Sequence, residues 1–146
     1  MNPSPEALQA VQEALAAEHA AVWTYGLVSA FVQRADRTAE GANAHRARRD
    51  ATERLLRDAG QEPVPPSAAY LPPAPVTDAA SSVAALVAVE SDCCVAWRGV
   101  LERTDDQNLR RSALDALSTS AVRATRWRKA GGLAPAGLVL PGTAVG

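Results

Sequence analysis

The stretch 61-QEPVPPSAAYLPPAPVTD-78 carries six of the chain's ten prolines, at positions 63, 65, 66, 72, 73 and 75. Each removes a backbone donor and fixes φ, so the segment can be neither helix nor central strand and reads as a long extended connection. On either side of it the pattern turns helical. Upstream, Leu8, Val11, Leu15, Val22, Tyr25 and Val32 recur at spacings that keep one helix face apolar, which predicts a helix over about 4–34 with Ser4 as N-cap and Pro5 in the first turn. A second helix is expected over 38–59, stopping at Gly60. Downstream, Thr77 and Asp78 offer caps for a third over 78–103, and Thr104 with Gln107 forms a capping-box pattern for a fourth over 105–130. Leu114, Leu117, Ala121 and Ala124 mark the apolar face of that fourth helix. No strand pattern survives. The predicted fold is an all-α four-helix bundle in one domain spanning 1–146: two short-loop helix hairpins joined by the crossover 60–77. The tail 131–146 has no charged side chain, and Leu138, Val139 and Leu140 are expected to pack on the bundle or on a second subunit.

Composition narrows the function classes. With a net charge of −1 and no run of one sign, the long-range field that draws nucleic acid or an anionic membrane is missing, so neither partner is expected. Arg123, Arg126, Arg128 and Lys129 complement the C-terminal end of the fourth helix. Cys93 and Cys94 are neighbours in the chain, a poor geometry for mutual bonding, and no spaced pair suggests a disulfide or zinc framework. The opening MNPSPEALQA has no signal-peptide pattern, and no stretch approaches the roughly 20 apolar residues of a spanning helix, so a cytoplasmic, soluble protein is expected.

The chemistry lies in carboxylates placed where leucines belong. At 100° per residue Glu18 falls at the centre of the arc of Val11, Leu15, Val22 and Tyr25. Glu90 does the same among Val83, Leu86, Val87, Cys93, Cys94, Trp97 and Leu101. The two helices also share a spacing, since Tyr25 follows Glu18 by seven residues and Trp97 follows Glu90 by seven. A bare buried carboxylate costs several kcal/mol, so both need a cation, a hydrogen bond or a proton. Tyr25 and Trp97 are placed to cover them and bring polar tips that seek a partner. His19 points about 100° away and reads as a rim residue.

Di-iron carboxylate bundles take one Glu from each of two helices and a Glu-x-x-His pair from each of the other two. Glu18 and Glu90 match the single positions. His45 lacks its carboxylate, because Ala42 stands three residues before it, and Asp115-x-x-Ser118 on the fourth helix fails because serine is a poor ligand and Asp115 faces away from the apolar side. Two readings remain open. In one, Arg48, one turn from His45, completes a metal-free buried network of Glu18, His45, Arg48 and Glu90, flanked by Tyr25, Cys93, Cys94 and Trp97. In the other, Glu18, His45 and Glu90 hold a single iron or manganese ion. Ligand count favours the first.

The segments 18-EHAAVWTYG-26, 45-HRARRDATERLL-56, 63-PVPPSAAYLPPAPVTD-78 and 121-AVRATRWR-128 resemble an actinobacterial ferritin-like domain family of unknown function, along nearly the whole chain. Its most specific parts here are Glu-His-x6-Gly, His-x-x-Arg-Arg-Asp, and Tyr70-x-x-Pro73. The resemblance implies a ferritin-like bundle that self-associates, with no established reaction. The expectation is therefore a binding or scaffolding protein, a homodimer without cofactor, with a one-ion oxidoreductase as the alternative.

Overall fold

The computed structural model describes residues 3–143, and among these there are four helices and no strand. They are α1 (Pro5–Val28), α2 (Ala35–Asp58), α3 (Ala79–Leu101) and α4 (Gln107–Ala130). The expected four-helix bundle is the observed one. Ser4 caps α1 by accepting from the Ala7 amide at 3.1 Å, with Pro5 behind it in the first turn. Asp78 and Ser81 form a reciprocal capping box at the start of α3.

The bounds differ where hairpins have to turn. The first helix stops at Val28 instead of 34, because residues 29–34 are needed to reverse the chain into α2, which begins at Ala35. The cap of α4 is Asp106, whose carboxylate accepts from the Leu109 amide at 2.8 Å, not the Thr104–Gln107 box; Thr104 instead accepts from the Asp106 amide and holds the turn. Gly60, at φ 77°, closes α2: its amide donates to Arg57 and the Gln61 amide to Leu56, the left-handed C-terminal turn that glycine adopts without strain.

Pairs of residues in contact give the topology. Glu18 meets His45 and Tyr25 meets Gly41, so α1 and α2 are antiparallel. Glu18 meets Trp97 and Tyr25 meets Glu90, so α1 and α3 are antiparallel. Glu90 meets Arg123 and Cys94 meets Leu117, so α3 and α4 are antiparallel. Around the square the order is α2, α1, α3, α4. The crossover thus links two parallel helices on a diagonal. It is tied to α1: Gln12 donates to Glu62 O and accepts from the Val64 amide, and the Tyr70 ring lies 5.9 Å from that of Trp23. That strap covers His19, which is buried and bonded through Nε2 to Val64 O at 3.0 Å, so it is not the rim residue expected from its angle.

Two apolar clusters fill the bundle. One gathers Leu15, Leu56, Trp97, Val100 and Leu109; the other gathers Tyr25, Val28, Leu86 and Trp127. Between them lie Glu18, His45 and Glu90, each at most 1% exposed. The inward face of α4 is Leu109, Ala113, Ala116, Ser120, Ala124 and Trp127, rotated from the expected one, with Leu114 55% exposed. Small residues are what allow α4 close approach to α3, and they push its larger apolar side chains outward. Ala79–Leu101 is also long and apolar enough to cross a membrane, with mean hydropathy 1.5, contrary to the sequence expectation. Its apolar surface is used by α1 on one side and α4 on the other, and Glu90 stands near its middle.

Candidate functional site

Four helices each contribute to one buried polar cluster. His45 of α2 stands between the two carboxylates: Nδ1 donates to Glu18 Oε2 at 2.5 Å and Nε2 donates to Glu90 Oε1 at 2.6 Å. An ionised carboxylate only accepts, so toward two ionised partners both ring nitrogens must donate, which is the protonated imidazole. Burial alone would lower its pKa, but the bonds to Glu18 and Glu90 outweigh that and carry it up to about 9. Burial would likewise raise Glu90; the bond and charge of His45, then Arg123 and Tyr25, hold it below the usual carboxylate range.

Tyr25 continues the chain of bonds. Its hydroxyl donates to Glu90 Oε1 at 2.8 Å and accepts from Trp127 Nε1 at 2.9 Å. Burial and the Glu90 charge push the phenol far above its ordinary range, so it stays a donor. The ring reaches this position because α2 has Gly41 beneath it. A Cβ there would lie 2.4–2.7 Å from Tyr25 Cε1, Cζ and Oη. Trp97 Nε1 donates to Glu18 Oε1 at 2.8 Å.

The arginine in the cluster is Arg123 of α4, not Arg48. Arg123 Nε donates to Glu90 Oε1 at 3.0 Å, with its side chain 17% exposed. Burial would lower its pKa, yet the charge of Glu90 raises it. Arg48 turns outward to a surface ion pair with Asp115 and to Ser112 O, because at the α2–α4 seam its long side chain reaches a carboxylate in water more easily than one already held by Trp97 and His45. Arg123 and Trp127 were missed as network members. Arg123 had a visible signal: it follows Ala116 by seven residues and Ser120 by three, the inward face of α4. The exposed leucine at 114 masked it.

Charge in the cluster sums to zero, with Glu18 and Glu90 against His45 and Arg123. One atom stands apart. Glu90 Oε1 accepts three donors, while Oε2 is buried with no partner. A cavity of about 240 Å³, lined by Glu18, Ala44, Arg48, Ala116, Thr119, Ser120 and Arg123, reaches Glu18 from the α2–α4 seam.

Glu18, His45 and Cys93 can each bring one ligand atom within 4.8 Å of the other two. An ion there would have to displace protons from its donors. Burial, then the Glu18 and Glu90 charges, push the Cys93 thiol well above its usual range, and a metal takes thiolate. Both His45 nitrogens bear protons that a ligand must give up. Cys94 is also a neutral thiol, its pKa pushed up to about 12 by burial. Neither cysteine is bonded to the other.

No curated protein matches the chain. Among solved structures, a conserved hypothetical protein, rv2844, from Mycobacterium tuberculosis is 35% identical, with a TM-score of 0.83 over 87% of this chain and 98% of that one. Residues 10–145 match the model of the Domain of unknown function (DUF4439), and the chain belongs to that family.

Proposed function

We propose that the chain is a non-catalytic binding or scaffolding protein built on a ferritin-like bundle whose metal cage has been replaced by a metal-free ion network. The observation that carries this is His45 donating from both ring nitrogens to Glu18 and Glu90, with Arg123 completing the charge balance. The single long crossover between diagonal parallel helices supports this reading, because one long crossover between two hairpins is the arrangement ferritin-like bundles use. Where that layout places bridging carboxylates and histidines on the second and fourth helices, this chain has Ala42 before His45, and Ser120 and Arg123 on the inward face of α4. A guanidinium in such a place repels an ion instead of binding it.

Elemental analysis of protein purified without chelators tests the reading. The expected content of iron, manganese and zinc is far below one ion per chain. Stoichiometric metal, lost together with an activity in Glu18→Ala, would establish the second reading, a single-ion oxidoreductase on Glu18, His45 and Glu90. That reading draws on the unpartnered Glu90 Oε2 and on the seam cavity leading to Glu18.

A further inference from the structure

Beyond α4 the chain does not lie flat on the bundle. At Gly142 it presses on α3: a Cβ there would sit 2.6 Å from Cys94 O and 3.1 Å from Arg98 Cβ, and its φ of 84° also calls for glycine. At its other end Arg128 of α4 donates to Ala136 O at 3.4 Å and to Ser91 Oγ of α3 at 3.1 Å. Residues 136–143 therefore bridge α3 and α4 as a strap, with a cleft of about 390 Å³ between strap and helices. That volume is within the usual span of small-molecule sites.

The walls and the mouth differ in chemistry. Cys94, Val95, Ala121, Val122, Leu138 and Pro141 make the walls, and Val95 and Val122 remain about half exposed, an apolar surface that an occupant would cover. Arg126, Arg128 and Lys129 also line the cleft, and no Asp or Glu does. Arg128 spends its donors on neutral oxygens, and among the described residues Lys129 has no carboxylate within ion-pair distance. Arg126 approaches Glu40 at 4.0 Å, which leaves Arg128 and Lys129 beside an apolar wall with no carboxylate partner among the described residues, a pairing that suits one kind of molecule.

We infer that this cleft binds a small amphipathic anion, an alkyl chain ending in a carboxylate or similar acid, with the chain against Val95, Val122 and Leu138 and the acid at Arg128 and Lys129. This rests on the chain being a binding protein, and names its ligand class. The Glu18–His45–Glu90 cluster takes no part.

Calorimetric titration with dodecanoate, kept below its micelle threshold, tests it. Saturable binding at one per chain is expected, with dodecyltrimethylammonium failing to compete. Val122→Trp, at a half-exposed position, fills the cleft and should abolish binding of dodecanoate and of dodecanol. Lys129→Glu should weaken dodecanoate by about tenfold or more, which is about 1.4 kcal/mol or more, and leave dodecanol unchanged. Helical circular dichroism and melting temperatures matching the parent show that both variants fold. No saturable binding, equal binding of the cationic amphiphile, or affinity unmoved by Val122→Trp overturns the inference. A metal-free protein that ignores dodecanoate loses only the ligand class; a metal-loaded one loses the reading beneath it.

Discussion

At the scale of single residues the bundle is decided by which side chain neutralises which carboxylate. Removing one partner of a buried charge pair costs roughly 3–5 kcal/mol, because the other is left bare, while an exposed pair contributes about 0–1. Arg123→Ala should thus lower stability by several kcal/mol in chemical denaturation, and Arg48→Ala by less than about 1. Equal effects would show that the cluster does not rely on Arg123. The same cluster sets a pH window. His45 binds its proton more readily folded than unfolded, so its contribution is complete below its ordinary pKa of 6.5 and is lost as pH rises through about 9. Glu90, with its pKa lowered, contributes above its ordinary 4.5 and loses that contribution as pH falls through the folded value. Melting temperature should therefore fall from pH 6.5 to beyond 9. A flat or rising profile over that range would contradict a protonated His45.

At the scale of helices, the contact of α1 with α2 depends on a missing side chain. Gly41→Ala would set a methyl into the rigid Tyr25 ring, and either the helices part or the phenol leaves Glu90. Overpacking of this kind costs about 1–3 kcal/mol in chemical denaturation. A Gly41→Ala protein as stable as the parent would show that the ring has room to move. Helix positions were legible in the sequence because the 3–4 spacing and the prolines are strong local signals. Glu18 and Glu90 were legible too, since a charge inside an apolar arc stands out. What was not legible is how each helix is rotated when its inward face is built from alanine. On α4 most inward residues are small, and Leu114, which lies exposed, drew the reading off the inward face, hiding Arg123. His19 was hidden for a different reason: only the path of the crossover, which has no periodicity to read, covers it.

At the scale of the whole molecule, the surface carries apolar side chains that the monomer leaves open: Leu114 is 55% exposed, Leu140 60% and Val139 96%. The tail expectation is met by halves, with Leu138 partly buried over α3 and α4 while Val139 and Leu140 face outward. We propose that the chain pairs with a second copy over these exposed leucines and valine. Light scattering on a sizing column should give about twice the monomer mass, shifting towards monomer in Leu114→Glu with Leu140→Glu; a parent that runs as a monomer at all concentrations would sink the dimer.

The order of helices around the square has an electrostatic side as well. Glu40 and Arg126 approach to 4.0 Å across the α2–α4 seam, while Arg48 meets Asp115 farther along it, so this last pair of neighbours is antiparallel like the other three. Every helix macrodipole then has an opposed one on both sides, and each end of the bundle shows two positive and two negative termini. No axial field remains at the middle of the bundle to favour a charge of either sign. Two carboxylates placed there can draw on no help from the helices as a whole, which is why the same layer must hold two cationic side chains, and why losing either one cannot be made good by the backbone.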